Sequence, residues 1–285
     1  MPESRFTAAC VQMRSGRNPE ANRDAAVAGV REAAGRGAAF VQTPEMTSLV
    51  ERSRERLFAE VTTEAQDRTL AAVREVARET GVVVQIGSIA VRSGDKIANR
   101  AYLIGSDGDV VASYDKLHLF DVDLPSGERW RESATYTGGA CAVVAPTPWA
   151  MLGLTICYDI RFPGLYRALA EAGAEILTAP ACFTRQTGEA HWHVLQRARA
   201  IETGSFVISA AQGGLHEDGR ETFGHSVIVD PWGRVLADAG GSEPCVILAE
   251  IDVAQVADAR ARIPSLQHGR PFTVERVGPK IQAAQ

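Results

Sequence analysis

Short apolar runs of strand length alternate with amphipathic stretches of helix length along this chain, and the same broad order occurs in both halves. In the first half, residues 6–13, 38–43, 82–91, 97–104 and 110–114 read as strands. Asn18-Pro19 reads as an N-cap followed by proline at the first helical position, and Ala26, Val30 and Ala33 continue that helical face to Gly35. Residues 64–79 form a second helical pattern, with Leu70, Val73 and Ala77 on one side and Gly81 as its stop. Ser93-Gly-Asp95 marks a hairpin. In the second half, 143–145, 151–156, 175–179, 205–212, 225–230, 234–237 and 245–251 read as strands, and 163–172, 189–203 and 253–263 as helices. Such alternation, mixed with hairpins, implies two mixed sheets covered by helices in one domain over residues 1–285, with no linker. Residues 120–139 lack periodicity and are rich in charge, and long loops inside a compact domain are usually functional.

The chain has 285 residues and a formal net charge of −5, which gives no reason to expect nucleic acid or an anionic membrane as a partner. No segment approaches the roughly 20 apolar residues that span a bilayer. The first residues, Met1-Pro-Glu-Ser-Arg-Phe, lack the apolar stretch of a signal peptide. The five cysteines, at 10, 141, 157, 182 and 245, are odd in number and widely spaced, as in a reducing cytoplasm and unlike a disulfide framework. A cytoplasmic location is the expectation, with no metal, because no cysteine–histidine cluster has zinc spacing.

Cys157 ends the apolar run from Met151 to Ile156 and is followed by Tyr158-Asp-Ile-Arg-Phe-Pro163, so it sits where a strand stops and a helix starts. A helix start lowers a thiol pKa from its free value of about 8.5, and free backbone N–H groups there stabilise an oxyanion. A lone cysteine in an apolar strand is ordinarily inert core. Two other strand ends alter that reading. Glu45 follows Phe40-Val-Gln-Thr-Pro44, and Lys116 follows Ser113-Tyr-Asp115. Strand ends on one sheet edge converge on a cleft. A carboxylate near a thiol takes its proton, and an ammonium beside both stabilises thiolate and oxyanion.

Several segments carry a resemblance. They are Thr43-Pro-Glu45-Met, Tyr114-Asp-Lys116-Leu-His-Leu-Phe-Asp121 and Leu154-Thr-Ile-Cys157-Tyr-Asp-Ile-Arg-Phe-Pro163, with Gly173-Ala-Glu-Ile-Leu177, His191-Trp192, Arg197-Ala-Arg-Ala-Ile-Glu202 and Gly224-His-Ser-Val-Ile-Val-Asp-Pro-Trp-Gly233. Over nearly its whole length the chain resembles the nitrilase superfamily of carbon–nitrogen hydrolases, whose signature is a Glu-Lys-Cys triad. Lys116-Leu-His-Leu-Phe-Asp-Val-Asp123 and Arg262-Ile-Pro-Ser-Leu-Gln-His-Gly-Arg-Pro271 make it most similar to the Nit amidases, deaminated glutathione amidase and ω-amidase.

The resemblance implies an α/β fold, a four-layer α-β-β-α sandwich. It implies Glu45 as base, Cys157 as nucleophile, and Lys116 with the Tyr158 N–H as oxyanion partners. It adds Glu132 as a second glutamate that orients Lys116 or the substrate. The chain has Gly138-Gly139 where the family pattern usually ends in Pro-Gly. No cofactor is implied. The expected substrate is a small carboxylate-bearing primary amide, hydrolysed through a thioester. An N-carbamoyl compound or a nitrile is the alternative, and a silent scaffold of the same fold is the non-enzyme one. At least a homodimer is expected, with residues 253–285 extending to the partner.

Around this set, Arg161, Phe183, Thr184, His191 and Trp192 are expected at the substrate pocket. Arg161 is either an ion-pair partner or a bidentate clamp on a substrate carboxylate. Cys182 follows a strand end and is a second thiol to place against the pocket. His191-Trp-His193 has i,i+2 spacing, which splays side chains on a helix and argues against metal ligation. Thr155-Ile-Cys157-Tyr-Asp159 lacks the flanking glycines of an α/β-hydrolase elbow.

Overall fold

The strand Arg5–Gln12 shows how the layers are built. Phe6, Ala8 and Cys10 face one apolar core and Ala9 and Val11 face another, the period of two that a doubly covered strand requires. In the computed structural model, which describes residues 4–124 and 127–278, this strand lies in a seven-stranded sheet. The order is Cys245–Asp252, Arg5–Gln12, Phe40–Gln42, Val83–Ser93, Lys96–Ile104 and Val110–Asp115, with Tyr136–Thr137 paired to Lys96–Ile104. A second, six-stranded sheet runs Val235–Asp238, Val227–Val229, Phe206–Ser209, Ile176–Thr178, Met151–Leu154 and Val143–Pro146. Helices Pro19–Gly35 and Arg68–Thr80 cover the outer face of the first sheet through Ala26, Val30, Leu70 and Val73. Helices Pro163–Glu171 and Arg185–Thr203 pack on the second sheet through Tyr166, Leu169, Trp192 and Ala200. The four layers are α-β-β-α.

Between the sheets the core is not wholly apolar. Gln42 Nε2 donates to Gln85 Oε1 at 2.9 Å, and Gln85 Nε2 donates to Thr178 Oγ1 of the other sheet at 3.0 Å. Fully buried amides of this kind fix the register of the two sheets, because a slip leaves them unpaired.

Local sequence explains most boundaries. Asn18 Oδ1 accepts from the N–H groups of Glu20 and Ala21, capping the first helix as its sequence implies. The helix expected over 64–79 is instead a 3₁₀ turn at Glu64–Gln66 followed by Arg68–Thr80, because Asp67 Oδ1 caps the latter through Leu70 N–H at 2.7 Å. The described residues within 120–139 are more ordered than a loop. Asp121–Asp123 pairs with Arg129–Arg131, a 3₁₀ turn spans Glu132–Ala134, and Tyr136–Thr137 joins the first sheet. Two elements carry too little periodicity to be seen in sequence: the helix Arg54–Glu60 and the hairpin of Gly213–Leu215 with Glu221–Phe223.

The C-terminal strand Cys245–Asp252 pairs along its whole length with Arg5–Gln12. The helix Ala254–Arg262 is tied to the same chain by Arg260, which donates to Thr203 O and Ala174 O. Beyond it, Phe272, Val274 and Val277 are exposed. The last part of the stretch expected to reach a partner, 279–285, lies outside the described residues.

Candidate active site

Glu45 stands three residues past Phe40–Gln42, in a wholly buried loop where Thr43 and Thr47 pair their hydroxyls at 2.8 Å and Met46 N–H donates to Ser88 Oγ at 3.0 Å. Lys116 directly follows Val110–Asp115. Cys157 opens the 3₁₀ turn Cys157–Arg161 three residues past Met151–Leu154. The expectation of a cleft at one sheet edge therefore needs correction. Glu45 and Lys116 come from the first sheet and Cys157 from the second, so the three groups meet across the sandwich.

All three are buried. Lys116 Nζ lies 2.9 Å from Glu45 Oε1 and 3.1 and 2.9 Å from the two carboxylate oxygens of Glu132. Glu45 Oε2 accepts the Cys182 backbone N–H at 2.8 Å, and Glu45 and Cys157 line the same cavity. Asn99 Nδ2 reaches both carboxylates, at 2.9 Å to Glu45 and 3.2 Å to Glu132. Glu132 Oε2 also accepts the Phe120 N–H at 2.6 Å. Two carboxylates and one ammonium are thus held in one network, as buried charges must be.

Burial raises the Glu45 pKa, yet the Lys116 charge and hydrogen bond, with the Cys157 thiol and Cys182 N–H, bring it below the ordinary carboxylate value. Burial lowers Lys116, but Glu132 and Glu45 outweigh that and hold it well above its usual range. Cys157 departs from the sequence expectation. Burial, then the Glu45 charge, push its thiol well above its ordinary value, and Lys116 only partly opposes them. The helix start does not rescue it. It is a five-residue 3₁₀ turn, and the Cys157 N–H is engaged by Pro180 O at 2.9 Å. These directions leave a protonated thiol near an ionised Glu45, a pairing in which the carboxylate can accept the thiol proton.

Cys157 has φ +49°, a left-handed conformation that is costly for a non-glycine residue, of order 1–3 kcal/mol. Asp159 holds the turn in place. Its carboxylate accepts Ile156 N–H at 2.9 Å and Tyr114 O–H at 2.7 Å, and it also bonds His118. Tyr158, the next residue of the turn, lines the same cavity as the thiol.

These groups floor a cavity of about 270 Å³, suited to a small ligand. Phe183 and Thr184 line it, as do Cys182, Tyr158, Trp130 and Arg220. Arg161, His191 and Trp192 do not line it. Arg161 Nη1 lies 3.1 Å from His191 Nδ1 with its guanidinium 5.0 Å from the Phe183 ring, and Trp192 meets Phe183 edge-on and donates to His225 O. Arg161 and Trp192 thus contact Phe183 from outside the lining, and His191 is exposed beside Arg161. His193 and His225 both contact Asp238, outside the cavity lining.

Asn99, Asp159 and Arg220 escape sequence reading. A polar Asn99 inside the apolar run from Ile97 to Ile104 was the available signal for the first. Gly139, at the departure from the family pattern, approaches so closely that a Cβ there would lie 2.3 Å from Asp115 O.

A family model described as carbon-nitrogen hydrolase matches residues 7–261. The chain belongs to the carbon–nitrogen hydrolase family. This hydrolase is 46% identical over 205 residues to deaminated glutathione amidase of Yersinia enterocolitica, covering 70% of each chain. It is 40% identical over 269 residues to deaminated glutathione amidase of Synechocystis sp., covering 92% of this chain and 97% of the relative. Its fold superimposes on the crystal structure of the C. elegans NitFhit protein with a TM-score of 0.87 at 34% identity, covering 95% of this hydrolase and 66% of that longer chain. The protein is thus an amidase-type hydrolase of carbon–nitrogen bonds with a nitrilase-superfamily fold. Among the described residues no helix is long and apolar enough to cross a membrane.

Proposed function

We propose that this hydrolase cleaves a small, carboxylate-bearing primary amide through a Cys157 thioester. One observation carries the reading: Glu45, bonded to the Lys116 ammonium at 2.9 Å, shares one buried cavity with the Cys157 thiol. Glu45 takes the thiol proton as sulfur attacks the amide carbonyl carbon. The tetrahedral oxyanion is stabilised by the Tyr158 N–H and Lys116. Glu45 returns the proton to nitrogen as the C–N bond breaks, and ammonia leaves. A water then attacks the thioester, giving its proton to Glu45, and C–S cleavage regenerates the thiol. Glu132 and Asn99 are positioning residues that hold Lys116 and Glu45. No step calls on a cofactor.

The names of the relatives make deaminated glutathione a substrate to test beside simple ω-amides. The test is a product-release panel of these amides, N-carbamoyl amino acids and nitriles, with wild type and Cys157→Ala. Amide turnover lost in the variant supports the reading. Turnover of carbamoyl compounds or nitriles alone replaces the substrate class, and no turnover of any of them returns the chain to a binding role.

The same reading places the enzyme in the cytoplasm as at least a homodimer, which would cover the exposed Phe272, Val274 and Val277. Light scattering that reports a monomer would remove that part.

A further inference from the structure

We propose that Arg220, with Arg52 and Trp130, is the site that binds the substrate's carboxylate and restricts the enzyme to short ω-carboxylate amides. This rests on the amidase reading above. Arg220 lines the cavity, and its side chain is only 13% exposed. A buried guanidinium carries five N–H donors, and leaving them unmade costs free energy. Yet among the described residues this one donates to no oxygen. Nη1 meets only Cys182 Sγ, a weak acceptor, at 3.4 Å. The buried Asp218 Oδ2 forms an ion pair with Nη2 at 3.7 Å, too long for a hydrogen bond, and both that oxygen and Arg220 Nε are left without a hydrogen-bond partner.

The surroundings fit an anion of planar, two-oxygen shape. Trp130 is flanked by two guanidiniums, Arg220 and Arg52, each with its carbon 4.6 Å from the ring centroid. Stacking on an aromatic face fixes the plane of a guanidinium and leaves its edge for a carboxylate. Arg52 also pairs with Glu128 at 2.7 Å and lies 3.9 Å from Asp218, so the local charge is formally balanced. Recognition then comes from unmade hydrogen bonds more than from net charge.

Cys182 sets the length of the ligand. Its N–H donates to Glu45 Oε2, and its Sγ accepts from Arg220. One residue therefore separates the base from the guanidinium, and only a few carbons fit between the amide carbonyl and the carboxylate. Arg161 is the obvious rival as clamp, but it is turned to His191 and does not line the cavity.

The experiment has two arms. In the first, Cys157→Ala protein is titrated calorimetrically with glutarate, with and without Arg220→Met. Binding should weaken by about 10²-fold with the second substitution and less with Arg52→Gln. In the second, kcat/KM is measured for 4-carbamoylbutanoate and for its neutral methyl ester. The charged-over-neutral ratio should fall by about 10²-fold in Arg220→Met. Should that variant not fold, Arg220→Lys, which keeps the charge and loses the fork, should lower the ratio about tenfold. Absent glutarate binding, binding that ignores Arg220, or equal loss on both amides overturns the proposal. If glutarate binding depends on Arg220 but no amide is turned over, the amidase reading fails and the anion site stands.

Discussion

Asp159, two residues past Cys157, bonds His118, two residues past Lys116, through the His118 backbone N–H at 3.0 Å and ring Nδ1 at 2.7 Å. This buried carboxylate links the segment that presents the ammonium to the turn that presents the thiol. Asp159→Ala strips partners from Tyr114 O–H, Ile156 N–H and His118 N–H together. At about 1–3 kcal/mol for each donor left unpaired, denaturant unfolding should show a loss of several kcal/mol. Asp159→Asn, which keeps the volume, should lose less stability. An unchanged denaturation midpoint in the alanine variant would contradict this role.

The pH dependence follows from the signs of the two shifts. Glu45 is lowered below its ordinary 4.5, so it stays ionised at every pH above that. Cys157 is raised well above its ordinary value, so it keeps its proton throughout the neutral range. The competent state, ionised base beside protonated thiol, spans the interval between. The kcat/KM profile should be flat from about pH 5 to 9, with an acid limb below and an alkaline limb above. A limb with its midpoint near neutrality would contradict the assignment.

Lys116→Met should lower kcat by at least about 10²-fold by removing an oxyanion partner. It should also move the acid limb to higher pH. Burial raises Glu45, and Lys116 is the largest of the influences that lower it, so without the ammonium the carboxyl holds its proton longer. Loss of rate with an unmoved limb would separate Lys116 from Glu45.

Alkylation of Cys157 by iodoacetamide reports whether Glu45 acts as its base. Glu45→Gln removes the proton acceptor and also a charge that holds the thiol up; with base catalysis the larger effect, labelling of Cys157 at neutral pH should slow by about 10²-fold, while the exposed Cys141 labels at an unchanged rate. Equal rates for Cys157 in wild type and variant would mean that a thiolate already exists.

Gly139→Ala would place a Cβ 2.3 Å from Asp115 O, and the Gly139 N–H donates to Lys116 O at 2.9 Å. The backbone around Lys116 must shift. A stability loss of about 1–3 kcal/mol with a fall in kcat is expected, read by thermal melt and single-turnover kinetics. Wild-type kinetics would show that the loop absorbs the clash.

Glu45, Lys116 and Cys157 were legible because each is a reactive group at the end of an apolar run, and strand ends are where a sheet presents side chains. Glu132 was visible only through the family pattern, since its turn has no periodicity of its own. The residues that organise them were hidden for physical reasons. Asn99 and Asp159 look like ordinary polar residues until folding buries them against partners far away in sequence. Arg220 arrives on a hairpin whose strands are three residues each, too short to register as a pattern. The raised Cys157 pKa was also out of reach, because desolvation is a property of the closed cavity and not of the strand–helix junction.

Glu45 and Lys116 ride on one sheet and Cys157 on the other, so the distance between Glu45 and Cys157 gauges the thickness of the core. Substitutions at inter-sheet positions such as Leu103 or Leu154, neither of which lines the cavity, should register first as lost turnover and only later as lost structure. Under the proposed mechanism, turnover is an internal strain gauge for the sandwich.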